Sequence, residues 1–233
     1  MKTRFVATSL LLCLFSSCIF YDDTERLEAF GVVINDSGIP SSNRKSRYIL
    51  SDEGKKLFPD WDLYEYIGSR VWIIYNIDSE SKPGEQDIIL QDMVKLREIQ
   101  LQTGVPDTLR NEKTGMRKVW IAHNYLTIDL DVAANSSESI KKHVFAVYSD
   151  KTVKNDTVYM ELRHDMKGDD GYNFFRTGLA INLPEQGINK NIVISFKYLD
   201  SNNEQITKHL TYKPAAIGTT VKPEISYKHF FGL

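Results

Sequence analysis

Glu161, Arg163, His164 and Asp165 fall within five residues and offer two carboxylates, a guanidinium and an imidazole. Such a set could transfer protons or hold a phosphate. The surrounding alternation, Val158, Met160 and Leu162 against Tyr159, Glu161 and Arg163, is that of a strand. A strand turns successive side chains to opposite faces, so Glu161 and Arg163 share one face and His164 takes the other. That parity favours a cross-strand ion pair with a strand-end histidine over an acid–base couple. The five histidines (His123, His143, His164, His209 and His229) show no HxH or HExxH spacing. A metal site would therefore have to assemble in space, and no cofactor is expected. Asp165, Asp169 and Asp170 around Gly168 and Gly171 resemble a loose calcium loop, but the closing glutamate of an EF-hand is missing. No GxSxG, GxGxxG or Walker sequence occurs. The expectation is a non-enzymatic protein with no catalytic residues.

Two other residue groups point to binding and to address. Trp61 and Tyr64 stand in an Asp-rich loop, where flat aromatic rings could stack on a sugar; Trp72 and Trp120 are better explained as core. At the N-terminus, Lys2 and Arg4 precede the apolar run Phe5–Phe15, then Ser16, Ser17 and Cys18. A secretory signal has this order of parts. Small residues directly before a cysteine resemble a bacterial lipobox, with Phe15 at the position more often held by Leu. The resemblance implies that residues 1–17 are removed and Cys18 is acylated, several acyl chains anchoring far more firmly than one. The sequence has two cysteines, Cys13 and Cys18, so the body has no thiol for a disulfide or a soft metal site. Asp22, Asp23 and Glu25 follow Cys18 in a short acidic tether, 18–28, like the patch that exports some lipoproteins to the cell surface; surface-exposed and periplasm-facing placements both stay open.

The elements that must position these residues are strands. With 29 basic against 31 acidic residues and 42% hydrophobic residues, the chain has an ordinary globular composition. No basic cluster dominates, which argues against nucleic acid as a partner. Period-2 patterns at Ala29–Ile34, Arg47–Leu50, Lys56–Phe58 and Ser69–Ile77 suggest a small five-stranded barrel over 29–103, if the ambiguous stretch Asp87–Leu101 supplies a strand rather than a helix. Residues 104–116 are poor in apolar side chains and read as a linker. Beyond it, Leu126, Ile128, Leu130 and Val132 share one face, as do Ile192, Ile194, Phe196 and Tyr198. About seven strands over 117–213 predict an antiparallel, immunoglobulin-like β-sandwich. An extended tail, 214–233, ends in aromatics that could add to a sheet edge.

This order of parts resembles the NigD-like lipoprotein family. The resemblance rests on Lys118-Val119-Trp120-Ile121 with Tyr125-Leu126-Thr127-Ile128, on Tyr48–Phe58, on Gly68–Tyr75 and on Tyr159–Asp165. It implies an all-β protein with an OB-like N-terminal barrel and a C-terminal sandwich, lipid-anchored in an outer membrane of the Bacteroides type. It implies no catalytic residue. The family name comes from a gene beside a bacteriocin, so a toxin-binding immunity role stands beside glycan binding as an expectation. Asp107-Thr108-Leu109 is similar to the O-glycosylation sequon of exported proteins of that type, which makes Thr108 a candidate modification site.

Overall fold

Short β-branched and aromatic runs broken by Gly, Asn and Asp turns make strands the dominant element of the described residues. The computed structural model describes residues 26–40, 42–104, 109–149, 156–183 and 191–213; Cys18, Thr108 and the tail 214–233 lie outside them. Five strands, β1 (Leu27–Asn35), β2 (Arg47–Ser51), β3 (Lys56–Pro59), β4 (Arg70–Lys82) and β5 (Glu85–Lys95), close into a barrel of order β1-β2-β3-β5-β4. The β3–β5 pairing is parallel and the others are antiparallel, the arrangement of an OB-like barrel. Val33, Ile49, Leu57, Val71, Ile73 and Ile88 fill it, each no more than 1% exposed. The ambiguous stretch is strand over Glu85–Lys95, with Gln86, Ile88 and Leu90 turned inward. β1 also takes in Leu27 and Glu28, which the sequence reading leaves in the tether.

The second domain is a sandwich. One sheet has the order β14-β13-β11-β10-β7 and the other β6-β12-β9-β8. Its strands are β6 (Arg97–Glu98), β7 (Leu101–Thr103), β8 (Gly115–Ala122), β9 (Tyr125–Ala134), β10 (Val144–Ser149), β11 (Thr157–Asp165), β12 (Asn173–Asn182), β13 (Ile192–Leu199) and β14 (Gln205–Tyr212). A one-turn helix, α1 (Ser137–Ile140), follows β9. Leu126, Ile128, Leu130, Phe145, Leu162 and Phe196 interdigitate between the sheets. Three pairings are parallel, β7–β10, β11–β13 and β6–β12, so the sandwich is mixed rather than wholly antiparallel.

Residues 97–103 differ most from the sequence reading, which places them in the barrel. Arg97–Glu98 pairs with β12 and Leu101–Thr103 with β10, so one short segment edges both sheets. Two- and three-residue strands carry too few positions for alternation to show. Ile99 between them is buried in the sandwich core.

The barrel sits on the outer face of the four-stranded sheet. Gly178 of β12 lies directly beneath Leu96, where an added Cβ would fall 2.8 Å from Leu96 Cγ. Side-chain contacts order β1 in the same sense as β12. Glu28 meets Arg176 at 3.0 Å. Further on, Val32 is paired with Arg70, whose Nε donates to Thr127 opposite Ala180. The chain thus enters at the Arg176 end of this face, and the β3–β4 loop lies at the far end of β1.

Candidate functional site

Three places gather chemically capable side chains. The first is internal to the sandwich. His143, just before β10, and His164 on β11 come together because register sets Phe145 opposite His164. Nδ1 of His143 lies 3.0 Å from Nε2 of His164, and Nε2 of His143 lies 3.2 Å from Asp169 Oδ2. Both imidazoles are buried, and the Phe145 ring stacks on His164 at 4.6 Å. Asp169 also accepts from the backbone N–H of Asn135 and Gly171 and from the Asn135 amide. The Ser139 hydroxyl above all, with His143 and those N–H groups, outweighs the cost of burial and holds the Asp169 carboxyl down to about 2. Burial, then the neighbouring His143, pushes the His164 imidazole down to about 4, against smaller opposing effects of the backbone at Lys113 and Glu112 and of Asp165. No local spacing announces this Asp–His–His series, since its two histidines are 21 residues apart.

Asp–His–His in series is a proton-relay arrangement, but its rings are packed against Phe145, away from solvent. Among the described residues no group of three His, Cys, Asp or Glu is arranged to hold a metal ion. Asp165 pairs with Lys167 at 2.8 Å and Asp169 with His143, so two of the three carboxylates of the supposed calcium loop serve different partners. Glu161 and Arg163 share the outer face, 2.6 Å apart, with Lys197 at 3.7 Å from Glu161.

The second place is the junction between domains, where an acidic turn meets a buried base. Arg70 is wholly buried and grips Asp52 of the β2–β3 turn through both terminal guanidinium nitrogens, Nη1 and Nη2. Trp120 Nε1 donates to Asp52 Oδ2 at 2.7 Å from the sandwich side. His123 and Asn124 form the β8–β9 turn with φ of 49° and 62°, a left-handed pair that suits a tight hairpin. That turn sets His123 Nε2 2.8 Å from the Ser51 carbonyl. Tyr125 Oη donates to the Gly68 carbonyl at 3.0 Å. Farther along the seam Arg176 bonds both oxygens of Asp129 and lies 4.3 Å from the Trp72 ring centre. Trp72 and Trp120, expected in the core, are half-buried in this junction, where each indole N–H reaches a carboxylate.

The third place is the β3–β4 loop carrying Trp61 and Tyr64. Leu63 plugs into the barrel core at 1% exposure, and Asp60 accepts from the Leu90 N–H. Asp62 accepts from the Tyr64 N–H and pairs with Arg47, whose guanidinium lies over the Tyr64 ring. The loop is pinned from below, which turns Trp61 (45%), Tyr64 (68%) and Ile67 (39%) outward. A small cleft of about 80 Å³ beside Glu98, Gln100 and Tyr125 has room for little beyond water.

The NigD-like C-terminal beta sandwich domain profile matches residues 98–212. Among curated proteins, none matches at a significant level. The fold is similar to that of a protein of unknown function from Bacteroides vulgatus: TM-score 0.61, 18% identity, 88% of this chain and 98% of that one covered. It is also similar to a NigD-like immunity protein from Bacteroides caccae, with TM-score 0.56, 20% identity and coverage of 84% and 100%. A candidate lipoprotein from Bacteroides fragilis matches with TM-score 0.57, 12% identity and coverage of 82% and 100%. Residues 98–212 form the NigD-like C-terminal β-sandwich domain, and through it the chain belongs to the NigD-like family.

Proposed function

We propose that the chain is a lipid-anchored, non-enzymatic binding module of the outer membrane whose ligand is a protein. The Trp61–Tyr64–Ile67 patch carries this reading: exposed apolar side chains on a loop fixed by Leu63, at the end of β1 away from the chain's entry. Aromatic anchors held in place before docking lose little entropy when they bind. The acid–base groups support binding over turnover, because Glu161 and Arg163 serve each other and His143 and His164 are buried with Asp169. In its finer form the ligand is a bacteriocin, in line with the immunity protein of similar fold.

Expression in a bacteriocin-sensitive strain should then shrink killing zones, and the Trp61→Ala, Tyr64→Ala variant at equal abundance should restore them. Loss of both anchors is expected to weaken binding about 30-fold or more. Zones unchanged by the native protein would reject immunity; undiminished partner binding by the double variant would remove the patch. The flat Trp61 and Tyr64 rings also favour a second reading, a cell-surface glycan ligand, which predicts retention on polysaccharide columns lost in the same variant.

The address rests on residues 1–18 and is supported by the fold shared with a candidate lipoprotein. Protease added to intact cells separates surface display, where the protein is lost at once, from a periplasm-facing anchor, where it survives until the outer membrane is opened. Thr108 is proposed as an O-glycosylation site; the intact mass of native protein should exceed peptide plus acyl chains by a glycan, and a mass without that excess rejects it.

A further inference from the structure

Tyr172 and Phe174 are the two most exposed large apolar side chains among the described residues, at 88% and 70%. They lead into β12 two residues apart, the spacing that puts strand side chains on one face. Phe174 stands opposite Ala133, and Arg176 continues the same row. Gly171 fixes the approach to the row, since its backbone presses against Ala134 so closely that an added Cβ would fall 1.8 Å from the Ala134 carbonyl carbon. The barrel's side-chain contacts on the outer face of this sheet run from Tyr125 and Thr127 to Arg176 among the described residues. Among the described residues, the aromatic pair is the uncovered end of the same face.

The chain enters at this end. Glu28 bonds Arg176, and β1 then runs away from Phe174 toward the Trp61 loop. Cys18 precedes Glu28 by ten residues, which span at most roughly 35 Å fully extended. Phe174 and Tyr172 lie about 7 and 13 Å along the strand from Arg176. An acyl group on Cys18 therefore holds a bilayer within reach of the aromatic pair, while Trp61 and Tyr64 lie at the opposite end of β1. Tyr and Phe side chains suit such a surface, because their rings enter the headgroup boundary and the tyrosine hydroxyl stays wet.

We propose that Tyr172 and Phe174 form a lipid-contact ledge, seated on the bilayer into which the Cys18 anchor inserts. The proposal builds on the lipidation of Cys18, and its test supplies an anchor independently of the cell. Once residues 1–17 are removed Cys18 is the single thiol in the chain. Protein beginning at Cys18 can therefore be coupled to maleimide-headgroup lipid in phosphatidylethanolamine/phosphatidylglycerol vesicles. Hydroxyl-radical footprinting then compares coupled with free protein.

Oxidation of Tyr172 and Phe174 is expected to fall at least about fivefold on coupling, with Trp61 and Tyr64 unchanged. Equal oxidation at 172 and 174 in both states would overturn the ledge, and so would uniform protection of all four residues. Protection in intact cells without protection on vesicles would assign the pair to a protein partner and also overturn it. A Tyr172→Ser, Phe174→Ser variant, with both changes on the surface, should keep its Tm; coupled to the same vesicles it should show Trp61 protection that wild type lacks, because the molecule is free to roll. An acyl-free intact mass for the native protein would reject lipidation in the cell and leave the vesicle result standing on its own.

Discussion

Asp52→Ala is expected to destabilise the protein by about 3–5 kcal/mol, because it strands a buried guanidinium without its counter-charge. Arg70 is fully buried, and its remaining side-chain partner is the Thr127 hydroxyl at 3.0 Å. The same substitution takes the acceptor from Trp120 Nε1. Loss of the carboxylate should also loosen one domain from the other, so urea unfolding followed by tryptophan fluorescence should broaden or split into two transitions. Replacing both charges with apolar residues of similar volume, Asp52→Leu with Arg70→Met, should cost clearly less than the single change, since the penalty comes from isolating one ion rather than from losing the pair. A single-variant loss below about 1 kcal/mol with one sharp transition would show that water reaches Arg70 and that the junction does not fasten the domains.

The second large effect is acid sensitivity. The folded protein holds His164 at about 4 against 6.5 in the unfolded chain. Between those values the unfolded state binds the extra proton, so stability rises with pH. It is complete above about pH 6.5 and is lost progressively down to about pH 4. At pH 4.5 the loss relative to pH 7 should be about 2–3 kcal/mol. Asp169, held down to about 2, adds a separate loss only at stronger acid, as pH falls from its ordinary 3.8. Urea midpoints at pH 7 and pH 4.5 measure the effect directly. His164→Gln, which keeps a donor for His143 Nδ1, should be less stable at pH 7 but nearly flat between pH 6.5 and 4.5. An unaltered slope in that variant would move the sensitivity to another group.

Alternation made the sheets legible in the sequence. Leu126, Ile128, Leu130 and Val132 fall into the sandwich core as their spacing requires, and Ile192, Ile194, Phe196 and Tyr198 do the same. Parity on β11 separated Glu161 and Arg163 from His164, as the structure does. The pairing of His143 with His164 depends on the register of β10 against β11, which no local spacing encodes. The Asp52–Arg70–Trp120 cluster joins three strands or turns of two domains, and each residue alone reads as an ordinary turn acid, strand-end base or core aromatic. Trp61 and Tyr64 were legible as loop aromatics, whereas Leu63, the side chain that holds them out, reads from sequence as merely one more apolar residue.

The segment Arg97–Thr103 has a consequence for how this architecture can be recombined. Because it supplies an edge to each sheet, a sandwich transplanted from Gly115 onward would leave β12 and β10 with uncovered flanks, open to pairing with other chains. A graft that keeps the fold intact must cut between Lys95 and Arg97, within a single residue of the barrel's last strand. Swapping either half between relatives therefore tolerates almost no error in the crossover point, and the long polar stretch before Gly115, the obvious place to cut, is the wrong one.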